Sequence, residues 1–315
     1  MGNKPKLVFI MGPTAAGKSA VALDLAEAFP AEIISVDSSQ VYRGMDIGTA
    51  KPSVAEQSQV PHHLINIRDP AQPYSAAQFR GDATVVIDKI LRRQKIPLLV
   101  GGTLFYYRAL EQGLSELPEA DESVRQAISA DARQQGWPAL HANLAKIDPE
   151  TARRIQPQDG QRIQRALEIW RVTGETPSKL NRRQPQIEFP YEAVKLVIAP
   201  GDRAVLHQRI AVRFRQMLDQ GLVAEVRQLA ARSDLVPSLP AMRTVGYRQV
   251  LQYLSGEVGY TEMVDRGIFA TRQLAKRQLT WLRGETGLTW FDSSQATMTE
   301  QVRGFLASNG LPTGL

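Results

Sequence analysis

Near the amino terminus, Gly12, Pro13, Thr14, Ala15, Ala16, Gly17, Lys18 and Ser19 spell GPTAAGKS and fit the spacing G-x-x-x-x-G-K-[ST] at every fixed position. The chemistry of that spacing is anion capture. Backbone N–H groups of such a loop turn inward, the helix opening near Lys18 adds the positive end of its dipole, and Lys18 supplies a mobile cation. The Ser19 hydroxyl can ligate Mg²⁺ beside the bound phosphates. KLVFIMG ahead of the loop reads as a buried strand, and Lys18 to Phe29 shows helical spacing at Ala20, Leu23, Leu25 and Ala26. The motif therefore sits in the strand–loop–helix setting it needs.

A kinase or ATPase also needs a second strand ending in an acid that completes the Mg²⁺ shell. IPLLVGGT (Ile96–Thr103) reads as that strand but ends in Gly101, Gly102 and Thr103. The acid near the loop is Asp37, at the carboxyl end of the strand-like EIISVDSS, where open α/β sheets gather their ligands. Two readings of Asp37 stand side by side: a reacting carboxylate, or the cap of a helix opening at DSSQ.

The elements that must position these groups alternate at first between strand and helix. Ser75 to Gln94 is amphipathic, with Ala76, Phe79, Ala83, Val86, Ile87 and Ile90 on one face, and Leu104 to Leu110 begins another helix after IPLLVGGT. From Asp121 to about Arg183 the pattern is helical only. QRIQRALEIWRVTG turns Ile163, Ala166, Leu167 and Trp170 inward and stops at Gly174. AVKLVIAP then reads as a strand, followed by long helices, a last short strand LTWFD and a frayed tail, SNGLPTGL. The expected fold is α/β: a P-loop NTPase-like core with a parallel sheet flanked by helices, over residues 1–118 and 190–315, plus an all-helical insertion domain at 119–189.

Composition narrows the class. The 315 residues are 43% hydrophobic and 22% charged, as in ordinary globular chains, and contain no cysteine, which excludes disulfides and thiolate chemistry. No stretch approaches the length of a membrane span, and the start MGNKPKLVFIMG lacks the apolar run of a secretory leader, so a cytoplasmic protein is expected. A net charge of +6 invites a polyanionic partner. Adjacent His62 and His63 point to opposite sides of an extended segment and read as structural rather than metal-binding.

In order along the chain, GPTAAGKS, VDSSQVYRGMDIGTAKP, PHHLI, YSAAQF, PLLVGGTLFYYRAL, GYRQV and TRQLAKRQLTWLRG resemble the tRNA dimethylallyltransferases, also called tRNA isopentenyltransferases, of the IPP transferase family. The resemblance runs from Leu7 to about Asp292 with no departure at a motif position. It implies transfer of a dimethylallyl group from dimethylallyl diphosphate to N6 of the adenosine 3′ to the anticodon in tRNA, with release of diphosphate. The loop would then hold the donor's diphosphate with Mg²⁺. By motif match Asp37 holds the adenine amino group and acts as general base, Thr14 lies near the reacting carbon, and Arg213 reaches the diphosphate. On residue pattern alone, Arg209 and Arg213 flank the stripe Leu206, Ile210, Phe214 and Met217 and could equally be solvated.

The same resemblance implies contacts with the tRNA anticodon stem-loop at Asp37, Ser38, Ser39 and Gln40, at Thr103, and at Arg125. It adds Gln161, Ile163, Gln164 and Arg162 with Arg165, then Arg243, Thr244, Val245, Gly246, Tyr247 and Arg248, and finally Lys276, Arg277 and Arg283. The target base must be flipped out of its stack, and the family carries a channel for it through the core. On the helix Thr261–Arg283, Arg272, Lys276 and Arg283 form a basic stripe that is either a phosphate ridge or an ordinary solvated face. No membrane and no protein partner are implied, and a monomer is expected. Three rivals are weighed: a prenyltransferase acting on free adenine nucleotides, a P-loop small-molecule kinase, and a non-catalytic RNA-binding protein. The arginine-rich segments favour a polynucleotide acceptor, and the intact Lys18, Ser19 and Asp37 favour catalysis.

Overall fold

KLVFIM is apolar at every position after Lys6 and forms β1 (Lys6–Met11), buried on both faces as an interior parallel strand must be. In the computed structural model, which describes residues 4–115, 117–183 and 188–311, β1 leads into α1 (Lys18–Ala28), β2 (Ala31–Val36), α2 (Val54–Gln59) and β3 (His62–His63). Then come α3 (Ala76–Arg92), β4 (Ile96–Gly101) and α4 (Leu104–Gln112). Five helices follow without a strand: α5 (Glu122–Gln135), α6 (Trp137–Ile147), α7 (Pro149–Arg153), α8 (Gly160–Thr173) and α9 (Pro177–Arg182). The chain returns through β5 (Glu192–Ala199), α10 (Arg203–Asp219), α11 (Leu222–Ala230) and α12 (Tyr247–Leu254) to α13 (Tyr260–Arg283), β6 (Thr289–Asp292) and α14 (Met298–Ser308). The last four residues of the expected frayed tail lie outside the described residues.

The strands form a single 6-stranded sheet in the order β3-β2-β4-β1-β5-β6, and every pairing is parallel. All carboxyl ends therefore meet on one edge. The phosphate loop follows β1, Asp37 follows β2, Gly102 and Thr103 follow β4, and Pro200 follows β5. On one face, Val21, Ala22 and Leu25 of α1 pack with Val302 and Leu306 of α14. On the other, Phe79, Ala83, Ile87 and Ile90 of α3 pack with Tyr106 and Tyr107 of α4. Ala76 and Val86, on the apolar face expected for α3, are half-buried at its margin. A third apolar cluster joins α10 to α13 through Leu206, Ile210, Phe214, Val226, Val250, Met263 and Ile268. Gly267 lies inside α13 although glycine costs a helix interior about 1 kcal/mol. A Cβ there would stand 2.1 Å from the Phe214 ring.

The chain divides into two compact units, Met1–Glu111 with Phe189–Leu315, and Gln112–Glu188. The second has its own core of Ile128, Leu140, Leu144, Ala152, Ile163, Ala166 and Leu167. Trp170 departs from the inward position expected of it. It is half-buried and lines a surface groove beside Asp131 and Lys146, as befits a side chain too large for the small core. Glu168 is buried instead, at 0% exposure, and binds Arg125, Arg165 and the Asp121 N–H.

At the amino-terminal edge, the two-residue β3 pairs His62 with Ile33 and His63 with Ile34. His63 Nε2 lies 2.7 Å from Glu32, which is 2% exposed and also receives Arg93 at 2.6 Å and Lys95 at 3.1 Å. Burial alone would raise this carboxyl, but hydrogen bonds from Arg93, His63 and Lys95 outweigh it and hold the pKa at about 2. A folded value below the unfolded one stabilises the protein above about pH 4.5, and the contribution is lost as pH falls through about 2. We predict that Glu32→Gln lowers stability by about 1–3 kcal/mol in urea unfolding at pH 7, because three partners lose their anion but remain partly solvated. The loss should shrink as pH is lowered toward 2, and the activity of the folded fraction should stay at the wild-type level.

Candidate active site

The loop is shaped before any ligand arrives. Gly12 has φ 152°, and a Cβ there would meet the carbonyl of Ile198 in β5 at 2.2 Å, so only glycine lets the loop leave the sheet here. Gly17 takes φ 97° as the residue before α1, and Ala15 holds φ 62°, a left-handed conformation rare outside glycine and typical of functional loops. From α13, Gln278 braces the loop. Its Oε1 accepts the Thr14 N–H at 2.9 Å and its Nε2 donates to the Gly102 carbonyl at 2.9 Å. Nothing in the sequence pattern points to Gln278, since its partners lie 264 and 176 residues away.

Two cavities open along this edge of the sheet. One, of about 760 Å³, is lined by Thr14 to Ser19 together with Asp37, Lys51, Gly102, Arg213 and Gln278. The other, of about 330 Å³, is lined by Asp37, Ser38, Ser39, Arg213, Arg243, Thr244 and Gly246, among others. Both are bounded by Thr14, Ala15, Asp37, Thr49, Arg213, Met217 and Leu274, so they meet there. The structure thus brings Thr14, Asp37 and Arg213 to one junction, with the phosphate loop on one side and the DSSQ and RTVG segments on the other.

Charge at the junction is crowded. Lys18 donates to the Pro13 carbonyl at 2.8 Å, and burial followed by repulsion from Arg213 pulls its pKa down to about 8, against the pull of Asp37. Burial also lowers the Arg213 guanidinium, and Asp37 again opposes the shift. A dianion entering beside them would relieve both. Asp37 settles its two readings in an unexpected way. Its Oδ1 accepts the N–H groups of Ser39 at 2.8 Å and Gln40 at 3.3 Å, capping a turn and not a helix. Its second oxygen has no hydrogen-bond partner among the described residues. The cap orients the carboxylate and leaves its second oxygen unengaged where the two cavities meet.

Further bonds frame the junction. Thr103 Oγ1 accepts the Ser38 N–H at 3.1 Å, and Ser39 and Thr244 hydroxyls lie 3.4 Å apart. Gln40 spends its amide inside the protein, accepting from Ser35 and donating to the Thr49 and Ala50 carbonyls. Glu225, a residue that sequence reading missed, accepts the N–H groups of Asp46 (2.9 Å), Ile47 (2.8 Å) and Gly48 (3.1 Å) and the Tyr247 hydroxyl (2.5 Å). One carboxylate thereby ties MDIGTAK to GYRQV.

Two residues expected at the RNA surface are corrected by their burial. Ile163 and Tyr247 are 0% exposed, the first inside the helical unit's core and the second under Glu225, so their side chains serve structure. Arg125 and Arg165 are half-buried and engaged with Glu168. Gln164 is half-buried and donates to Arg125 O and Ser129 Oγ. Gln161, Arg162, Arg243, Arg248, Lys276, Arg277 and Arg283 are exposed, while Thr244 and Val245 are half-buried and Gly246 is buried.

The donors also suit a Mg²⁺ ion carried by a phosphate ligand. Ser19 is exposed at the loop end of the larger cavity, and no group of three or more His, Cys, Asp or Glu stands ready as a cage among the described residues. Mg²⁺ accepts such a site, because it keeps water and phosphate oxygens as most of its ligands.

Residues 40–285 match the family described as IPP transferase, and residues 5–69 match isopentenyl transferase. Over 304 residues the chain is 52% identical to the tRNA dimethylallyltransferase of Nitrosomonas eutropha, covering 96% of each sequence. The chain belongs to the IPP transferase family. Among solved structures, it is similar to the full-length tRNA isopentenylpyrophosphate transferase of Bacillus halodurans, with 39% identity, a TM-score of 0.71, and 97% and 96% of the two chains covered. It is also similar to a eukaryotic dimethylallyltransferase captured acting on tRNA, with 27% identity, a TM-score of 0.80, and coverage of 99% of this chain and 81% of that one. The parallel sheet flanked by helices is thus the fold of this family of transferases, as the sequence led us to expect.

The state of Lys18 makes the site testable through pH. A bound diphosphate favours the ammonium form, so its folded pKa of about 8 must rise on binding, and affinity must fall as pH climbs past that value. The donor's own last ionisation lies near 6, so its charge is constant above neutrality. We predict that Kd for dimethylallyl diphosphate, measured by calorimetry, is nearly flat between about pH 7 and 7.5 and rises about tenfold or more by about pH 9.5. In Lys18→Gln the rise should vanish.

Proposed function

We propose that this protein transfers the dimethylallyl group of dimethylallyl diphosphate to N6 of the adenosine 3′ to the anticodon in tRNA, releasing diphosphate. The observation that carries the reading is the junction of the two cavities at Thr14, Asp37 and Arg213. The larger cavity, floored by the phosphate loop, takes the donor, and the smaller takes the flipped base.

The reaction forms the N6–C1 bond and breaks the allylic C1–O bond, whose electron pair leaves with the diphosphate. Loop N–H groups, Lys18 and Arg213 are aimed at that developing charge from a partly buried floor, where fixed dipoles and cations act more strongly than in water. Ser19 would hold a Mg²⁺ ion brought with the donor, and that ion would supply further neutralisation of the leaving group. An amino group conjugated to adenine is a weak base, so it must shed a proton as the new bond forms. The free oxygen of Asp37 takes that proton and later passes it to solvent. Thr14 stands on the line between the two cavities, where its hydroxyl can steer the bridging oxygen.

The acceptor is the anticodon stem-loop. Exposed Arg243, Arg248, Lys276, Arg277 and Arg283 supply phosphate-positioning contacts for it, and on the helical unit, taken by itself, Gln161 and Arg162 are exposed for the same role. The target base is too deep in a stacked arm to react unless it is flipped. We take the protein to act as a monomer, and the lining of both cavities comes from one chain. No described helix is long and apolar enough to cross a membrane, which suits work on tRNA in the cytoplasm.

A kinase reading is weakened by β4, which ends in glycine where a metal-shell acid commonly stands. The acceptor is tested by offering unmodified tRNA and AMP together with Mg²⁺ and dimethylallyl diphosphate, with ATP in a parallel reaction, and reading products by mass spectrometry. We expect one added prenyl group on the tRNA, mapped to the adenosine beside the anticodon. Prenyl-AMP as sole product would move the acceptor to free nucleotides, and phosphate transfer from ATP without prenylation would overturn the proposal.

A further inference from the structure

α13 splits the carboxyl edge of the sheet into two compartments. Thr271, Leu274 and Gln278 face the catalytic cavities. With about 3.6 residues per turn, Arg272, Lys276 and Arg283 fall on the opposite side. There, beyond the ends of β5 and β6, lies a separate cavity of about 610 Å³ that shares no lining residue with the other two. α10 adds Arg203 and His207 to its wall, and β6 adds Trp290. The basic stripe of α13 is thus one wall of an open cavity, with Arg272 half-buried and Lys276 and Arg283 exposed along it.

Its chemistry is unbalanced toward an anion, with four cations against two carboxylates. Arg203, Arg272, Lys276 and Arg283 form no ion pair among the described residues. Each acid in the wall uses one oxygen on neutral donors: Asp292 Oδ1 accepts from Gly201 and Ser294, and Glu285 Oε1 accepts from the Trp281 indole. The Nε of Arg272 is buried without a hydrogen-bond partner, and its Nη2 makes only a long 3.5 Å contact to the His207 carbonyl. Burial and the charges of Arg272 and Arg203 lower the His207 pKa, a sign of the local positive field. Buried polar groups and grouped cations of this kind cost free energy until an acceptor anion reaches them. At the same site Trp290 is 44% exposed. A phosphate-seeking floor beside an open indole is the combination that binds an unstacked nucleotide.

We propose that this cavity is a second nucleotide site, in which one unpaired nucleotide of the RNA sets its phosphate on Arg203, Arg272 and Lys276 and stacks its base on Trp290. The inference rests on the RNA-acceptor reading above. A free mononucleotide offers the same phosphate and base, and the test separates the two sources.

An anticodon stem-loop RNA is first prenylated with the wild-type protein. Failure at that step overturns the acceptor reading, and this site with it, before any variant is made. Binding of the same RNA is then measured against salt for wild type, Trp290→Leu, Trp290→Phe and Arg203→Ala, with melting curves to verify folding. We expect Trp290→Leu to weaken RNA binding by about 5- to 150-fold and Trp290→Phe to restore most of it. Arg203→Ala should reduce the slope of log K against log salt by about 0.7–0.9, the share of one phosphate contact. The KM for dimethylallyl diphosphate should stay unchanged in all three. Wild-type affinity and slope in both Trp290→Leu and Arg203→Ala would overturn the site. So would AMP alone quenching a fluorescence signal that Trp290→Leu removes while RNA affinity stays constant, because the pocket would then belong to free nucleotides.

Discussion

Two cations, Lys18 and Arg213, are held in one half-buried cavity beside a single carboxylate, and the rest of the carboxyl edge follows from that constraint. Left to themselves they would separate into water, since burial and then Arg213 lower the tendency of Lys18 to stay charged. The scaffold prevents it. The loop is pressed to β5 at Gly12, where no side chain fits, and braced by Gln278 from α13. Arg213 is carried on α10, whose Phe214 packs against Gly267 of α13. Folding energy from apolar burial thus keeps charge preorganised, and in the proposed reaction that preorganisation would stabilise a leaving diphosphate without reorganisation.

The all-parallel sheet makes this economical. Every strand ends on the same side, so a loop, an acid and a basic helix from distant parts of the sequence converge without long excursions. Glu225 extends the logic beyond the sheet. By accepting three consecutive N–H groups and the Tyr247 hydroxyl, it fixes the Gly48–Thr49 wall of the smaller cavity to the segment bearing Arg243 and Thr244. The helical unit relies on the same device, as buried Glu168 accepts from Arg125 and Arg165. α13 acts as a partition, presenting Gln278 to one compartment and Arg272 to the other.

Much of this is legible in the sequence where the signal is local. The phosphate loop, the apolar runs of β1, β4 and β5, and the periodic face of α3 are each written within about twenty residues. Asp37 was placed correctly after a strand, but its simultaneous cap and free oxygen needed the turn's geometry. Gln278 and Glu225 left no local trace, because the loop segments they brace are more than a hundred residues away. Ile163 and Tyr247 show the opposite failure. Each sits inside a segment rich in exposed polar residues, and a motif match cannot tell which of its members turn inward. Helical spacing found the basic stripe on α13, yet only the arrival of Arg203 and Trp290 from other elements makes it a cavity.

The central claim is that one oxygen of Asp37 caps the turn while the other accepts the N6 proton. Asp37→Asn separates those duties, because an amide carbonyl can still accept from Ser39 and Gln40 but cannot take a proton at neutral pH. Single-turnover prenylation of an anticodon stem-loop RNA, with both substrates saturating and their Kd values measured in parallel, tests it most directly. The account predicts donor and RNA affinities within about twofold of wild type and a chemical step slower by about 10²-fold or more. A chemical step within a few-fold of wild type would contradict it and assign the proton to another acceptor.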